Sequence, residues 1–167
     1  MIALKNILVA TDFGEASDAA LNYGRALATQ FDATLVVLHV CENVLTHAIG
    51  GEAYVAVFPD IQRDVEDAAR RQLDQLVLSN DPAPTALKVK RVLLTSNTPA
   101  MAIVGYAKEA NIDLIVMGTH GRGAMAHLLM GSVAERVVRT AACPVLTVRH
   151  PEHEFVKPDT LVASVKA

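Results

Sequence analysis

Five short runs rich in Val, Ile and Leu alternate along this chain with stretches whose apolar residues recur every third or fourth position, and no other feature limits the fold so strongly. A strand-length run followed by a helical pattern, repeated, is the signature of βαβ units, and βαβ units build parallel sheets. The runs are Lys5 to Ala10, Thr34 to Val40, Leu87 to Leu94, Leu114 to Met117 and Val145 to Val148. Thr34 to Val40 is apolar on both faces, as a central strand covered by helices on each side must be. The expectation is an α/β fold: a single-domain, open, five-stranded parallel sheet with helices on both faces. A length of 167 residues suits one domain with a proper core. A composition that is 51% hydrophobic but only 4% aromatic suits closely packed helix and strand layers.

The helical patterns carry their own signals. After the first run, Ala16, Ala19, Ala20, Tyr23, Ala26 and Leu27 fall on one stripe. Pro59 opens a long amphipathic helix to about Ser79, with Ile61, Val65, Ala68, Leu73 and Leu76 inward and Arg63, Asp64, Glu66, Asp67, Arg70 and Arg71 solvated. Thr98–Pro99 offers an N-cap followed by proline at the first helical position, with Ile103, Val104 and Ala107 inward. Ser132–Val133–Ala134–Glu135 has the form of a capping box, so a helix is expected to begin there and to bury Val133, Val137, Val138 and Ala141. Between Cys41 and Phe58 periodicity fails, and a flexible functional flap is expected. Residues 1–150 are expected to form the domain and 151–167 a loosely attached tail, in which Thr160 to Val165 could add an edge strand.

Composition removes several classes of function. A net charge of −3 and a pI near 6.0 leave no positive field for nucleic acid. The longest apolar runs fall far short of the ~20 residues of a membrane span. The stretch before Asp12 lacks the long apolar core of a secretory signal. A soluble, cytoplasmic protein with neither nucleic-acid nor membrane partners is therefore expected. Cys41 and Cys143 have no CxxC spacing and read as free thiols. His39 reads as a half-buried strand histidine without a function, and His150 and His153 lack the partners of a metal site.

In open parallel sheets, ligands settle beyond the carboxyl ends of the strands, where the strand order reverses. Three segments reach that edge: Ala10–Thr11–Asp12, Val40, and the Gly118–Thr119–His120–Gly121–Arg122–Gly123 loop after the fourth run, which ends at Gly131–Ser132. Glycines at 118, 121, 123 and 131 let the backbone approach phosphate oxygens. Arg122 adds a planar fork for oxygen anions. A helix starting at Ser132 adds unpaired N–H groups and a positive dipole end. A Walker A loop would need Lys-Ser/Thr where Ala124–Met125 stands. Gly121 to Ala126 fits the loose GxGxxA dinucleotide pattern, but after the fourth strand instead of the first. Ser132 has no G-x-S-x-G elbow and no assignable His-Asp partner, and the loop offers no evident general base, so no catalytic residue is assigned.

Gly118-x2-Gly121-x9-Gly131-Ser132 resembles, residue for residue, the ATP-binding G-2x-G-9x-G-S/T pattern of the universal stress protein family. The likeness runs from ILVATDF (Ile7 to Phe13) through DLIVMGTHGRG (Asp113 to Gly123) to ACPVLTV (Ala142 to Val148), covering about residues 4–149. It implies a Rossmann-like sheet of order 3-2-1-4-5 and a homodimer paired through Val145 to Val148. It also implies ATP as ligand, with Mg2+ held mainly by the phosphates. By the same resemblance Asp12 holds the ribose or helps the magnesium ion, Val40 meets adenine through its backbone, and Gly118 lies against the ribose. Gly121, Arg122, Gly131, Ser132 and Val133 would cradle phosphates, and Ala10, Thr11, Met117 and His120 complete the set. Two departures stand out: Gly14 replaces a frequent Ser, leaving Ser17 or Glu15 to cap, and Asn97 replaces a frequent glycine. The function implied is that of an ATP-binding, stress-response regulatory dimer with unknown protein partners. A slow ATPase or phosphotransferase at the same site, or a dimeric interaction protein without nucleotide, are the alternatives, and the intact glycines argue against the last.

Overall fold

The alternation is realised in the computed structural model, which describes residues 3–44, 58–79, 87–119 and 130–149. Nine elements follow one another there: β1 (Asn6–Ala10), α1 (Glu15–Phe31), β2 (Thr34–Cys41), α2 (Phe58–Ser79), β3 (Val89–Thr95), α3 (Pro99–Glu109), β4 (Leu114–Gly118), α4 (Ser132–Thr140) and β5 (Val145–Val148). The strands form one parallel sheet of order β3-β2-β1-β4-β5, as expected. The chain winds outward from β1 in both directions, so β1 and β4 are neighbours although their connections leave on opposite sides. That divergence opens the crevice described below.

Strand alternation divides the core into two layers. Ile7 and Val9 of β1, with Leu35, Val37 and Val116, pack toward α1 and α2, whereas Leu8, Val36, Leu38, Ile115 and Met117 pack toward α3 and α4. Each fully buried aliphatic side chain of this kind contributes about 1.5–3 kcal/mol over its exposed state. Gly24 is buried at the middle of α1 because a Cβ there would collide with Cγ2 of Val9, so α1 lies directly on β1.

Three helices face differently from expectation. In α1 the buried stripe is Ser17, Ala20, Leu21, Gly24 and Ala28, which leaves Tyr23 45% exposed and Ala26 exposed. In α2 the inward positions are Gln62, Ala69 and Leu73, with Ile61 42% exposed and Val65 and Ala68 also exposed. The cause is a polar network. Gln62 Oε1 accepts from the Val44 amide (2.9 Å), its Nε2 donates to Glu66 (3.1 Å), and Thr95 Oγ1 donates to the same carboxylate (2.8 Å). In α4, Ala134 and Val137 are buried while Val138 is exposed.

Cap positions differ too. Gly131 is the N-cap of α4 and Ser132 its first helical residue, so the expected capping box does not form; Glu135 instead pairs with Arg139 at 2.9 Å. Thr98 occupies the N-cap of α3 ahead of Pro99, but its side chain caps no amide and meets Ser96 Oγ at 3.2 Å. β3 begins at Val89, two residues later than its apolar run suggests. Cys41 and Cys143 are free, and burial is the main cause pushing both thiols up from their ordinary values. Most of the expected flap and all of the expected tail, including Thr160 to Val165, lie outside the described residues.

Candidate functional site

The carboxyl ends of β1, β2 and β4 and the first turns of α3 and α4 enclose a cleft of about 530 Å³. Of the residues singled out from sequence, Ala10, Thr11, Asp12, Val40, Met117, Gly118, Gly131, Ser132 and Val133 all line it. His120, Gly121 and Arg122 lie outside the described residues.

The β1 wall is a turn held by side-chain hydroxyls. The Phe13 amide donates to Thr11 Oγ1 (3.0 Å), and the Ser17 hydroxyl donates to the Gly14 carbonyl (2.8 Å). Since that bond uses Ser17's only hydroxyl proton, the 3.0 Å contact between Thr11 Oγ1 and Ser17 Oγ has Thr11 as donor. The Gly14 amide reaches both Ser17 Oγ and Asp12 Oδ1, each at 3.1 Å. Ser17 thus supplies the cap that Gly14 cannot, and Asp12 acts as a turn-capping carboxylate on the cleft wall. This turn holds Phe13 at φ 61°, a left-handed conformation uncommon for a non-glycine residue.

Opposite stands the start of α4. The Gly131 amide donates to the Thr119 carbonyl at 2.7 Å, and the Thr119 amide donates to the Val148 carbonyl at 2.8 Å, so the end of β4, the start of α4 and the end of β5 are tied together. Helix geometry leaves the next amides, those of Ser132, Val133 and Ala134, without intrahelical acceptors. Among the described residues they have no backbone partner, and all three residues line the cleft. The floor is apolar, made by Leu38, Val40, Met117 and Ile103. Asp12 is the only charged side chain in the described lining. Such a site accommodates a flat apolar group on its floor and an oxyanion at the helix start.

Gly118 has a structural reason of its own. A Cβ there would lie 2.9 Å from the backbone C and O and from Cβ of Ala16, so the glycine lets the start of α1 close over β4. Sequence reasoning missed Ser17, Leu38, His39, Pro99, Ile103 and Ala134 as lining residues. Position at a strand end or in a helix's first turn was the available signal for most of them. His39 reaches across to β1, its Nδ1 2.7 Å from the Thr11 carbonyl and its ring 4.3 Å from that of Phe13.

No helix among the described residues is long and apolar enough to cross a membrane. The model of the universal stress protein family matches residues 3–149. The universal stress protein in the QAH/OAS sulfhydrylase 3′ region of Thermus aquaticus is 35% identical over 145 residues, covering 87% of this chain and 98% of that one. Among solved structures, universal stress protein UspA from Lactobacillus plantarum superposes with a TM-score of 0.70 at 27% identity, covering 89% of this chain and all of that one. The universal stress protein from Archaeoglobus fulgidus in complex with dAMP matches with a TM-score of 0.54 over 89% of this chain and 99% of its own, a likeness of fold at 19% identity. By sequence and by fold, the chain belongs to the universal stress protein family.

Proposed function

We propose that this chain is a nucleotide-binding regulatory module of the cytoplasm that takes ATP, accompanied by Mg2+, in the cleft between Asp12 and Ser132. The observation that carries the reading is the start of α4, where the amides of Ser132, Val133 and Ala134 come to the cleft without backbone partners among the described residues. Three adjacent donors at a helix N-terminus suit phosphate oxygens. The apolar floor suits adenine, and the Asp12 carboxylate suits a ribose hydroxyl or a magnesium-bound water. Mg2+ keeps several waters and is commonly held by substrate phosphates with one or two carboxylates, which fits a lining whose one described charge is Asp12. The Archaeoglobus fulgidus relative with dAMP gives the same ligand class precedent on this fold. Gly121 and Arg122, which lie outside the described residues, would complete the phosphate contacts.

We further propose that the working unit is a homodimer joined through Val145 to Val148. Among the described strands β5 pairs only with β4, and Leu146 on the strand is exposed. An unpaired strand edge with an exposed apolar side chain is a template for a second strand.

Thermal unfolding with and without MgATP tests the site. A ligand at 100 times its Kd stabilises by about 2.7 kcal/mol, which raises the Tm of a chain this size by roughly 5–10 °C. Replacing Gly121 and Gly131 together by Val removes the shift. A shift that survives the double substitution refutes the assignment of the site.

A further inference from the structure

We infer that His39 is a positioning residue for the ligand, setting the turn that carries Asp12 from a neighbouring strand. The inference rests on the proposed ATP site and deepens it. His39 lies one residue before Val40, on β2, and lines the cleft. Its Nδ1 sits 2.7 Å from the carbonyl oxygen of Thr11, so this nitrogen carries the proton and donates. The same ring lies against Phe13, with centroids 4.3 Å apart and planes inclined by 38°. Two contacts therefore bracket Asp12, one on the residue before it and one on the residue after.

The bracket matters because of the backbone it holds. Phe13 occupies φ 61°, a conformation that persists only where its surroundings over-determine it. The hydroxyl chain through Thr11 and Ser17 secures the turn from the α1 side. His39 secures it from the β2 side. The β1–β2 ladder continues to the Thr11 amide, which donates to Leu38 at 2.9 Å, and then ends. His39 takes over where ladder bonding stops, and extends the registration of the two strands to the carboxylate that faces the ligand.

The test uses the full chain and MgATP titrated by calorimetry. His39→Phe keeps an aromatic ring against Phe13 but removes the donor, and is expected to weaken binding about tenfold, the order of one lost interaction with a charged partner. His39→Asn places an amide N–H where Nδ1 stood and is expected to recover binding to within about threefold of wild type. In an Asp12→Asn background, whose side-chain oxygen still accepts from the Gly14 amide, His39→Phe is expected to add no further loss, because coupled residues are non-additive. His39→Leu replaces the Phe variant if that protein does not fold. Binding by the Phe or Leu variant equal to wild type overturns the inference, and so does a full loss in the Asp12→Asn background or an Asn variant as weak as Phe. Failure of the wild type itself to bind MgATP refutes the site reading instead.

Discussion

The amide of Gly131 donates to the carbonyl of Thr119 at 2.7 Å, so the glycine that opens α4 is tied to the residue that follows β4. Its own N–H is thereby unavailable to a ligand, and the donor set moves one residue onward, to Ser132, Val133 and Ala134. Thr119 in turn donates to the Val148 carbonyl at the end of β5, which joins the start of α4 to that strand.

The displaced donor set predicts an unusual separation of binding from stability. Proline is favoured at the first position of a helix, and Gly131 at φ −72° and ψ 153° has the extended backbone that a following proline requires. Ser132→Pro should therefore fold with wild-type stability yet lack one amide at the proposed phosphate site. A hydrogen bond to a charged group contributes about 1.5–3 kcal/mol, so MgATP affinity should fall roughly 10- to 100-fold. Ser132→Ala keeps the amide and should lose less. Calorimetric titration of both variants beside their melting curves checks the difference.

Gly118 and Gly105 should respond in opposite directions to the same substitution. An alanine Cβ at 118 meets three Ala16 atoms at 2.9 Å, two of them backbone atoms with little room to yield. Overpacking of that kind costs about 1–3 kcal/mol. At 105, within α3, an added Cβ meets nothing within 4 Å. Removing a helix-interior glycine there should stabilise by about 0.5–1 kcal/mol. Urea unfolding without nucleotide measures both, and a neutral Gly118→Ala would show that this glycine serves the ligand alone.

Element order is legible in the residues because short unbroken apolar runs such as Leu35 to Val40 contrast with the longer stretches between them, whose apolar positions recur at a period near 3.6. Sheet order follows from the family pattern. Less legible is which way a helix faces. Counting only apolar residues puts Ile61 and Val65 inward, but Gln62 and Glu66 take that side because Thr95 and the Val44 amide need partners there. In α1, Ser17 and Gly24 are buried for reasons of hydrogen bonding and close approach that hydropathy does not register. His39 is indistinguishable in sequence from any strand histidine, since its partner Thr11 is 28 residues away.

The proposed dimer makes a prediction at Leu146, 36% exposed on the edge strand. A charge at such an edge blocks pairing with a second chain. Leu146→Lys should convert a dimer to a monomer in light scattering. Because the side chain is exposed within one chain, the substitution should change monomer stability by no more than about 0.5 kcal/mol. A wild type that is monomeric at high concentration would refute the interface.

The network that turns α2 also predicts an acid-side loss of stability. The Thr95 hydroxyl is the main cause, and the Gln62 amide the next, holding the Glu66 carboxyl below its ordinary value of 4.5, against an opposing effect of burial. A carboxylate whose value is lowered by folding adds stability that is fully present above the unfolded value and is lost as pH falls through the folded one. Thr95→Val removes the main cause while keeping the shape of the side chain. The difference in urea midpoint between wild type and Thr95→Val should be constant from neutral pH to about pH 5.5 and shrink as pH falls through and below 4.5. In a Glu66→Gln background the group no longer titrates, so the effect of Thr95→Val should be independent of pH. A difference that persists undiminished to the lowest pH at which the chain stays folded would show that Thr95 acts by packing, and that the Glu66 carboxylate is not what draws α2 onto the end of β3.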